Sequence, residues 1–153
     1  MSKQCNACPA RQYGDLNCMG CDGEWAWHRL VLPWPPSINH YWRHVLIGKA
    51  IRTLISAEGR DYKHAVAAAC MEQKAPRGLK NRIAVSIQLS PPDRRRRDID
   101  NSLKALLDSL TYAHVWEDDS QIDDIRIYRA ECVQNGQAVV DISEIHQEGT
   151  NDD

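Results

Sequence analysis

The stretch that decides the fold reads PPDRRRRDIDN and occupies residues 91–101. Before it, residues 83–89 alternate apolar with small or polar side chains, which is the period-two pattern of a half-buried strand. After it, leucines in residues 100–110 recur at the spacing of one buried helical stripe. Because paired prolines end a strand, the stretch predicts a loop that leads from a strand into a helix. The loop is rich in arginine and ends in two aspartates.

The rest of the chain extends this pattern in both directions. Residues 57–74 predict an alanine-rich helix with Ser56 as its N-cap. Strands are predicted at residues 25–32, 124–133 and 137–145, and the last two are expected to form a hairpin around Asn135-Gly136. Residues 37–55 predict a long, partly irregular connection. The order β-α-β-α-β-β favours an α+β, two-layer domain with a mixed sheet and both helices on one face.

The composition excludes several classes of protein. A chain of 153 residues, 42% of them hydrophobic, suits one ordinary domain plus a small module. No apolar run approaches the roughly 20 residues that a membrane span requires, and the polar N-terminus lacks the apolar stretch of a secretion signal. The sequence therefore predicts a soluble, cytoplasmic protein that makes no membrane contact.

The first 21 residues contain two CxxC pairs, and the cysteines are Cys5, Cys8, Cys18 and Cys21. Two such turns supply the tetrahedral sulfur set that structural Zn²⁺ prefers. Two disulfides or an iron–sulfur cluster are the alternatives, and a reducing compartment favours zinc over the disulfides. A site with four cysteine ligands has no open coordination position, so a structural or recognition role is expected. Cys70 and Cys132 stand alone in apolar segments and are expected to be core thiols.

The charge is nearly balanced over the whole chain but unevenly distributed. There are 19 basic and 21 acidic residues, which gives a formal net charge of −2. Four consecutive arginines, Arg94, Arg95, Arg96 and Arg97, form a concentrated cationic loop that suits a polyanion. A solvated charge run is the alternative interpretation.

Acidic residues at the end of this loop favour metal chemistry. Asp98 and Asp100 are two residues apart, so an extended backbone projects both carboxylates to one side. Such a pair suits a hard divalent cation such as Mg²⁺, although neutralisation by arginines or helix capping is an alternative. Lys104 follows Asp100 by one helical turn, and further acids lie in residues 116–120. Three converging carboxylates with a lysine are the arrangement that phosphodiester hydrolysis requires. Asp108 is expected to form a helix-surface ion pair with Lys104.

These segments together resemble the RusA family of Holliday-junction resolvases. The family hallmark is a proline-aspartate-arginine loop, Asp-x-Asp-Asn opening a helix with a lysine, and a Trp-x-Asp-Asp turn; here these are residues 92–101, Lys104 and residues 116–119. Residues 32–37, followed by Asn39, Tyr41 and Arg43, resemble the first strand and proline-rich turn of the family. The resemblance extends from Arg29 to Ile145. Together with the cysteine spacing and the acidic end of the chain, it predicts a zinc-binding module at 1–24, a nuclease domain at 25–146 and an acidic disordered tail at 147–153.

The resemblance implies a homodimeric, Mg²⁺-dependent endonuclease that makes paired symmetric nicks in a four-way DNA junction, with Mn²⁺ as a substitute metal. Such enzymes act in recombination and repair, often in phage or prophage. By this resemblance Asp98, Asp100 and Asp119 would hold the metal, and Lys104 would lie near the phosphate. Arg43 and the four arginines, Arg97 above all, would bind backbone phosphates.

Two alternatives remain open at this point. A non-catalytic zinc-containing protein would bind DNA through the cysteine segment and the arginines, and would use the acids only as caps. A nuclease of the same fold would prefer forks, flaps or other branched DNA. The short family members lack the four-cysteine segment, so its role as a DNA contact, a dimer brace or a protein-docking site stays undecided.

Overall fold

A computed structural model of the protein describes residues 27–145. Its main sheet has four strands in the order β1-β6-β4-β5. Strands β1 and β4 both pair with β6 in antiparallel register, whereas β4 and β5 are parallel. The strands are β1 (His28–Pro33), β4 (Ile83–Ser90), β5 (Ile122–Arg129) and β6 (Gln137–Glu144).

Three helices and a separate hairpin complete the described part of the chain. The hairpin consists of β2 and β3, which pair with each other and with no strand of the main sheet. The helix α1 precedes it, α2 follows it, and α3 connects β4 to β5. Their bounds are α1 (Ile38–Tyr41), β2 (Trp42–Ile47), β3 (Ala50–Ile55), α2 (Ala57–Glu72) and α3 (Leu103–Tyr112).

The core lies between one face of the main sheet and the helices α2 and α3. The helices contribute side chains such as Val66 and Leu106, which are fully buried and pack with Ile87 and Val140 of the sheet. Ile87 and Val140 are register partners and therefore share a face of the sheet. The predicted α+β, two-layer arrangement with a mixed sheet is confirmed. No helix within residues 27–145 is long and apolar enough to cross a membrane.

Three predictions about individual elements are wrong. Residues 124–133 and 137–145 do not form a hairpin, because β5 and β6 lie on opposite sides of β4. The turn itself has the expected conformation, with φ of 66° at Asn135 and 68° at Gly136. Residues 37–55 are not an irregular connection, since they contain α1, β2 and β3. Cys70 is a buried core thiol as expected, whereas Cys132 is exposed in the loop between β5 and β6.

The predicted four-cysteine module and the acidic tail lie outside the described residues, so both remain predictions. The first predicted strand begins at residue 25, and the described strand β1 begins at His28. Helix α2 begins at its predicted N-cap, where the Ser56 hydroxyl accepts a hydrogen bond of 3.0 Å from the Gly59 backbone N–H.

Gly59 allows helix α2 to pack closely against the root of the β2–β3 hairpin, where Tyr41 precedes β2 and Ile55 ends β3. A Cβ at this position would lie 2.8 Å from Cγ2 of Ile55 and 2.9 Å from the carbonyl oxygen of Tyr41. Backbone atoms cannot move out of the way as a flexible side chain can. The first turn of α2 therefore approaches α1 and the end of β3 as closely as it does only because residue 59 has no side chain.

We expect Gly59→Ala to destabilise the protein by about 1–3 kcal/mol, because it overpacks this contact. Helix propensity alone has the opposite sign, since alanine is favoured over glycine by about 1 kcal/mol. Denaturant unfolding of the full chain measures the difference. The matched control is Ala68→Gly on the exposed side of the same helix, which should cost about 1 kcal/mol. A stabilised Gly59→Ala protein would contradict the steric argument.

Candidate active site

The arginine loop is organised by Asp93. Its carboxylate accepts hydrogen bonds from Arg97 Nη1 at 2.5 Å and Nη2 at 2.9 Å, and a third from the Arg95 backbone N–H at 2.9 Å. These bonds, that of Arg97 first, hold the pKa of Asp93 far below its usual range. The Arg97 guanidinium also lies 6.0 Å from the ring centroid of Trp34. Arg97 therefore fixes the shape of the loop in addition to any contact with a ligand.

The other arginines point outward. Arg94 and Arg96 are exposed and make no hydrogen bond or ion pair with the described residues. Arg95 is exposed as well, with its Nε 3.7 Å from Asp93 Oδ2. Arg43 lies in β2 and is also exposed. Of the arginines predicted to bind phosphates, these four are available to an anionic ligand.

Asp98 and Asp100 border an open concavity at the carboxyl ends of β4 and β5. The concavity is lined by both carboxylates together with Arg97, Leu103, Ile127 and Arg129. Asp98 precedes and Asp100 begins a 3-10 turn, Asp100–Ser102, which leads directly into α3. Both aspartates are exposed, so their carboxylate oxygens face solvent and are accessible to a cation.

Lys104 joins α3 to the segment before β5. Its ammonium donates to Asp108 Oδ1 at 2.7 Å and lies 3.6 Å from Asp119 Oδ2. The pKa of Lys104 is raised, first by the hydrogen bond to Asp108 and then by the charge of Asp119. The predicted ion pair between Lys104 and Asp108 is confirmed. Lys104 is thus firmly cationic and cannot serve as a base near neutral pH.

The two aspartates of the Trp-x-Asp-Asp turn have different surroundings. The Asp118 carboxylate caps the 3-10 turn Asp119–Gln121 by accepting a 2.7 Å hydrogen bond from the Ser120 backbone N–H, which lowers its pKa. Asp119 projects toward Lys104 instead. The turn is anchored from below by Trp116, which is fully buried. This geometry assigns capping to Asp118 and leaves Asp119 as the member of the pair that is available for chemistry.

Tyr41 is a buried residue close to Asp108, the partner of Lys104. Its side chain is fully buried, and its hydroxyl makes no hydrogen bond within the described residues. Burial raises the pKa of Tyr41, and the nearby Asp108 carboxylate raises it further. Asp108 is therefore near the phenol of Tyr41 and also pairs with the ammonium of Lys104.

The structure brings only part of the predicted acidic cluster together. Asp98 and Asp100 lie where β4 and β5 end, whereas Asp119 lies where β5 begins, because these two strands are parallel. Within residues 27–145, no three histidine, cysteine or acidic side chains are close enough to hold a metal ion together. Asp98 and Asp100 thus form a pair, and Asp119 lies apart from them. Lys104 on α3 approaches Asp119.

Sequence reasoning missed two residues beside the acids. Asp93 has the role in the loop given above, and its spacing from Arg97 did not predict the pairing because residues 93–97 are not helical. Arg129 lines the concavity and donates a hydrogen bond to the carbonyl oxygen of Arg97. No local pattern marks Arg129, because its importance depends on β5 lying beside β4.

The sequence of this chain is similar to a known family model and to several known enzymes. The family model for endodeoxyribonuclease RusA matches residues 33–143. The chain is 39% identical over 121 residues to crossover junction endodeoxyribonuclease RusA of Escherichia coli K12, a match that covers 79% of this chain and 98% of that protein. It is also 40% identical to the enzyme of the same name from Enterobacteria phage 82, and this match covers 79% of this chain and 98% of that protein. The identity to the phage HK97 enzyme is 40% as well, over 77% of this chain and 95% of that protein. The matched residues include the arginine loop, both halves of the acidic site and the helix between them, and the chain therefore belongs to the RusA family of endodeoxyribonucleases.

Proposed function

We propose that this protein is a Mg²⁺-dependent endodeoxyribonuclease that resolves Holliday junctions by paired symmetric nicks, in DNA recombination and repair. The observation that carries the proposal is the match to crossover junction endodeoxyribonucleases, which spans nearly the whole length of those relatives. We further propose that it acts as a homodimer in the cytoplasm. A two-fold symmetric four-way junction presents two equivalent strands, which suit two equivalent sites.

The donor chemistry at the concavity suits Mg²⁺. This ion binds through one or two carboxylates and keeps several waters, or substrate phosphate oxygens, as its remaining ligands. Asp98 and Asp100 offer two exposed carboxylates at an open surface, and they would be the first ligands. Bound there, Mg²⁺ would activate an attacking water and offset charge on the phosphate. Mn²⁺, which accepts the same oxygen ligands, would substitute for it.

The protein's own residues would then position and neutralise the substrate. Arg94, Arg95 and Arg96 would bind backbone phosphates and so align a strand along the concavity. Lys104, held by Asp108, would neutralise a phosphate oxygen near the scissile bond. When Lys104 exchanges its contact with Asp119 for the phosphate, the Asp119 carboxylate would be free to contribute the third acidic ligand of the metal.

Forks, flaps and other branched duplexes share the exposed phosphates and distorted helices that such a site would bind. Competition among a four-way junction, a fork and linear duplex distinguishes this second candidate from the first. A non-catalytic DNA-binding protein is disfavoured because Asp98 and Asp100 make no capping hydrogen bond within the described residues.

We expect the full-length protein to cut a labelled four-way junction symmetrically with Mg²⁺ and to stop in EDTA. Asp98→Asn and Asp119→Asn should still bind the junction in a gel shift, but should lower the cleavage rate by at least about 100-fold, because each removes an oxygen ligand charge. Asp118→Asn is the matched control, since asparagine caps a turn as well as aspartate does. Cleavage by Asp98→Asn at the wild-type rate would refute the proposed catalytic site.

The arginines should divide into two groups in a salt titration of junction binding. Arg94→Ala and Arg96→Ala should each reduce the slope of log affinity against log salt by about 0.9 when one phosphate contact is lost. Neither should change the melting temperature. Arg97→Ala should lower the melting temperature as well, because it releases Asp93 and the contact with Trp34. Equal melting temperatures for all three variants would rule out the structural role of Arg97.

We propose that Cys5, Cys8, Cys18 and Cys21 hold one structural Zn²⁺ through two CxxC pairs. The full chain, purified without chelator, should contain about one tightly bound zinc per chain by metal analysis. Cys5→Ser combined with Cys8→Ser should remove it, whereas Cys132→Ser should not. A wild-type preparation with unmodified thiols and no zinc, or with iron and sulfide in its place, would exclude this assignment.

A further inference from the structure

The hairpin β2–β3 extends from the body of the protein as a separate arm. It forms its own two-stranded sheet, and Gly48-Lys49 are the two residues of its turn. Gly48 has φ of 64°, the positive value that a two-residue type II′ hairpin requires at its first central position. Six residues per strand give the arm a length of about 20 Å. The turn is therefore tight and presents a narrow tip.

The tip carries apolar side chains in water. Leu46 and Ile51 are directly opposite each other in the register and are 71% and 75% exposed. Ile47, at the end of β2, is 50% exposed. Isolated two-stranded hairpins are only marginally stable, so an apolar pair at the far end contributes nothing to the fold while it stays exposed. A surface of this kind indicates contact with a partner.

The charge of the arm indicates which kind of partner. Residues 42–55 contain Arg43, Lys49 and Arg52 and no acidic residue. Arg43 and Arg52 alternate with Leu46 and Ile51, and therefore lie on the opposite face of the arm. A purely apolar protein surface would leave these three cations without partners. A nucleic acid supplies phosphates for the cations and base faces for the apolar pair.

The root of the arm is fixed beside the acidic site. Helix α1, which runs directly into β2, contacts α3 and the Asp100–Ser102 turn. Trp42 and Ile55 face each other at the root and pack against the core. The arm thus begins beside the turn that carries Asp100.

We propose that the β2–β3 hairpin binds branched DNA and inserts Leu46 and Ile51 between base pairs at the branch point. Arg43, Lys49 and Arg52 neutralise the phosphates on either side. Apolar wedges of this type unstack a base step and bend the duplex toward a more open path. The inference rests on the proposed function, because it requires branched DNA as the ligand. It adds to that function a means of distorting the substrate.

The test uses the full-length protein in EDTA, so that binding is followed without cleavage. The probe is a four-way junction with 2-aminopurine at the branch point, whose fluorescence rises when the base unstacks. We expect wild type to raise the fluorescence and Leu46→Thr/Ile51→Thr to lose that rise. The double variant should bind the junction about tenfold more weakly, with linear duplex binding unchanged, because unstacking is needed only where the wedge enters.

Three controls make the result specific. Threonine retains strand propensity, and circular dichroism with thermal melting verifies that the arm and the body remain folded. Leu46→Met/Ile51→Val keeps apolar side chains and should restore the fluorescence rise. Met71→Thr, which removes a methionine that is 74% exposed on α2, should behave as wild type. Sedimentation compares the masses of wild type and the double variant without DNA.

Each outcome distinguishes the hairpin inference from the proposed function. If wild type cuts and binds the junction but the double variant unstacks it equally well, the wedge is refuted and the resolvase proposal stands. If the double variant alone loses mass in sedimentation, the tip contacts a second copy and the inference is overturned. If wild type neither binds nor cuts branched DNA, both proposals fail together.

Discussion

Strand β4 is buried on both faces and hydrogen-bonded on both sides, and the candidate site depends on that position. Because β5 lies parallel to β4, the chain must return across the sheet before β5 can begin, and α3 makes that return. The crossover places Asp98 and Asp100 at one end of the strand pair and Asp119 at the other. The helix that satisfies the topology is therefore also the element that carries Lys104 between the two groups of acids.

Ion pairs around this crossover link stability to the proposed chemistry. Asp108 holds the Lys104 ammonium from its own helix, and Asp119 approaches the same ammonium from the following turn. A free lysine would sample many rotamers, whereas one held at 2.7 Å loses that freedom during folding rather than during binding. Tyr41 has its hydroxyl near Asp108, and its backbone carbonyl accepts a 2.9 Å hydrogen bond from the Ser56 N–H at the hairpin root, so one residue contacts both the arm and the partner of Lys104.

Sequence patterns predicted the elements that depend on neighbours in the chain. The α3 leucine stripe and the Ser56 N-cap are local signals that the structure contains. The alternation in residues 83–89 correctly predicted the strand β4, but the prediction that it is half-buried is wrong, because β4 is buried on both faces. Another wrong prediction concerns pairing at long range. Asn135-Gly136 correctly indicated a turn, yet β4 lies between β5 and β6 and pairs with both. Asp98, Asp100 and Lys104 were predicted as candidate site residues from their spacing, and Asp119 from the resemblance to the RusA family. The position of Arg129 and the separation of Asp119 from the other two acids could not be predicted, because they depend on the parallel register of β4 and β5.

The distribution of charge explains how an acidic chain suits DNA. The formal net charge is −2, but the attraction between exposed charges is largely screened beyond about 8 Å in physiological salt. Local clusters therefore decide where a polyanion binds. The arginine loop and the β2–β3 arm supply such clusters on either side of the Asp100–Ser102 turn, and the loop's one internal carboxylate, Asp93, is already neutralised by Arg97. Phosphates drawn to the exposed arginines would be brought beside the exposed aspartates, whose own repulsion of DNA is removed only when a divalent cation binds. The exposed arginines would thus bind the DNA without the metal, and a divalent cation at Asp98 and Asp100 would remove only the local repulsion of the scissile phosphate.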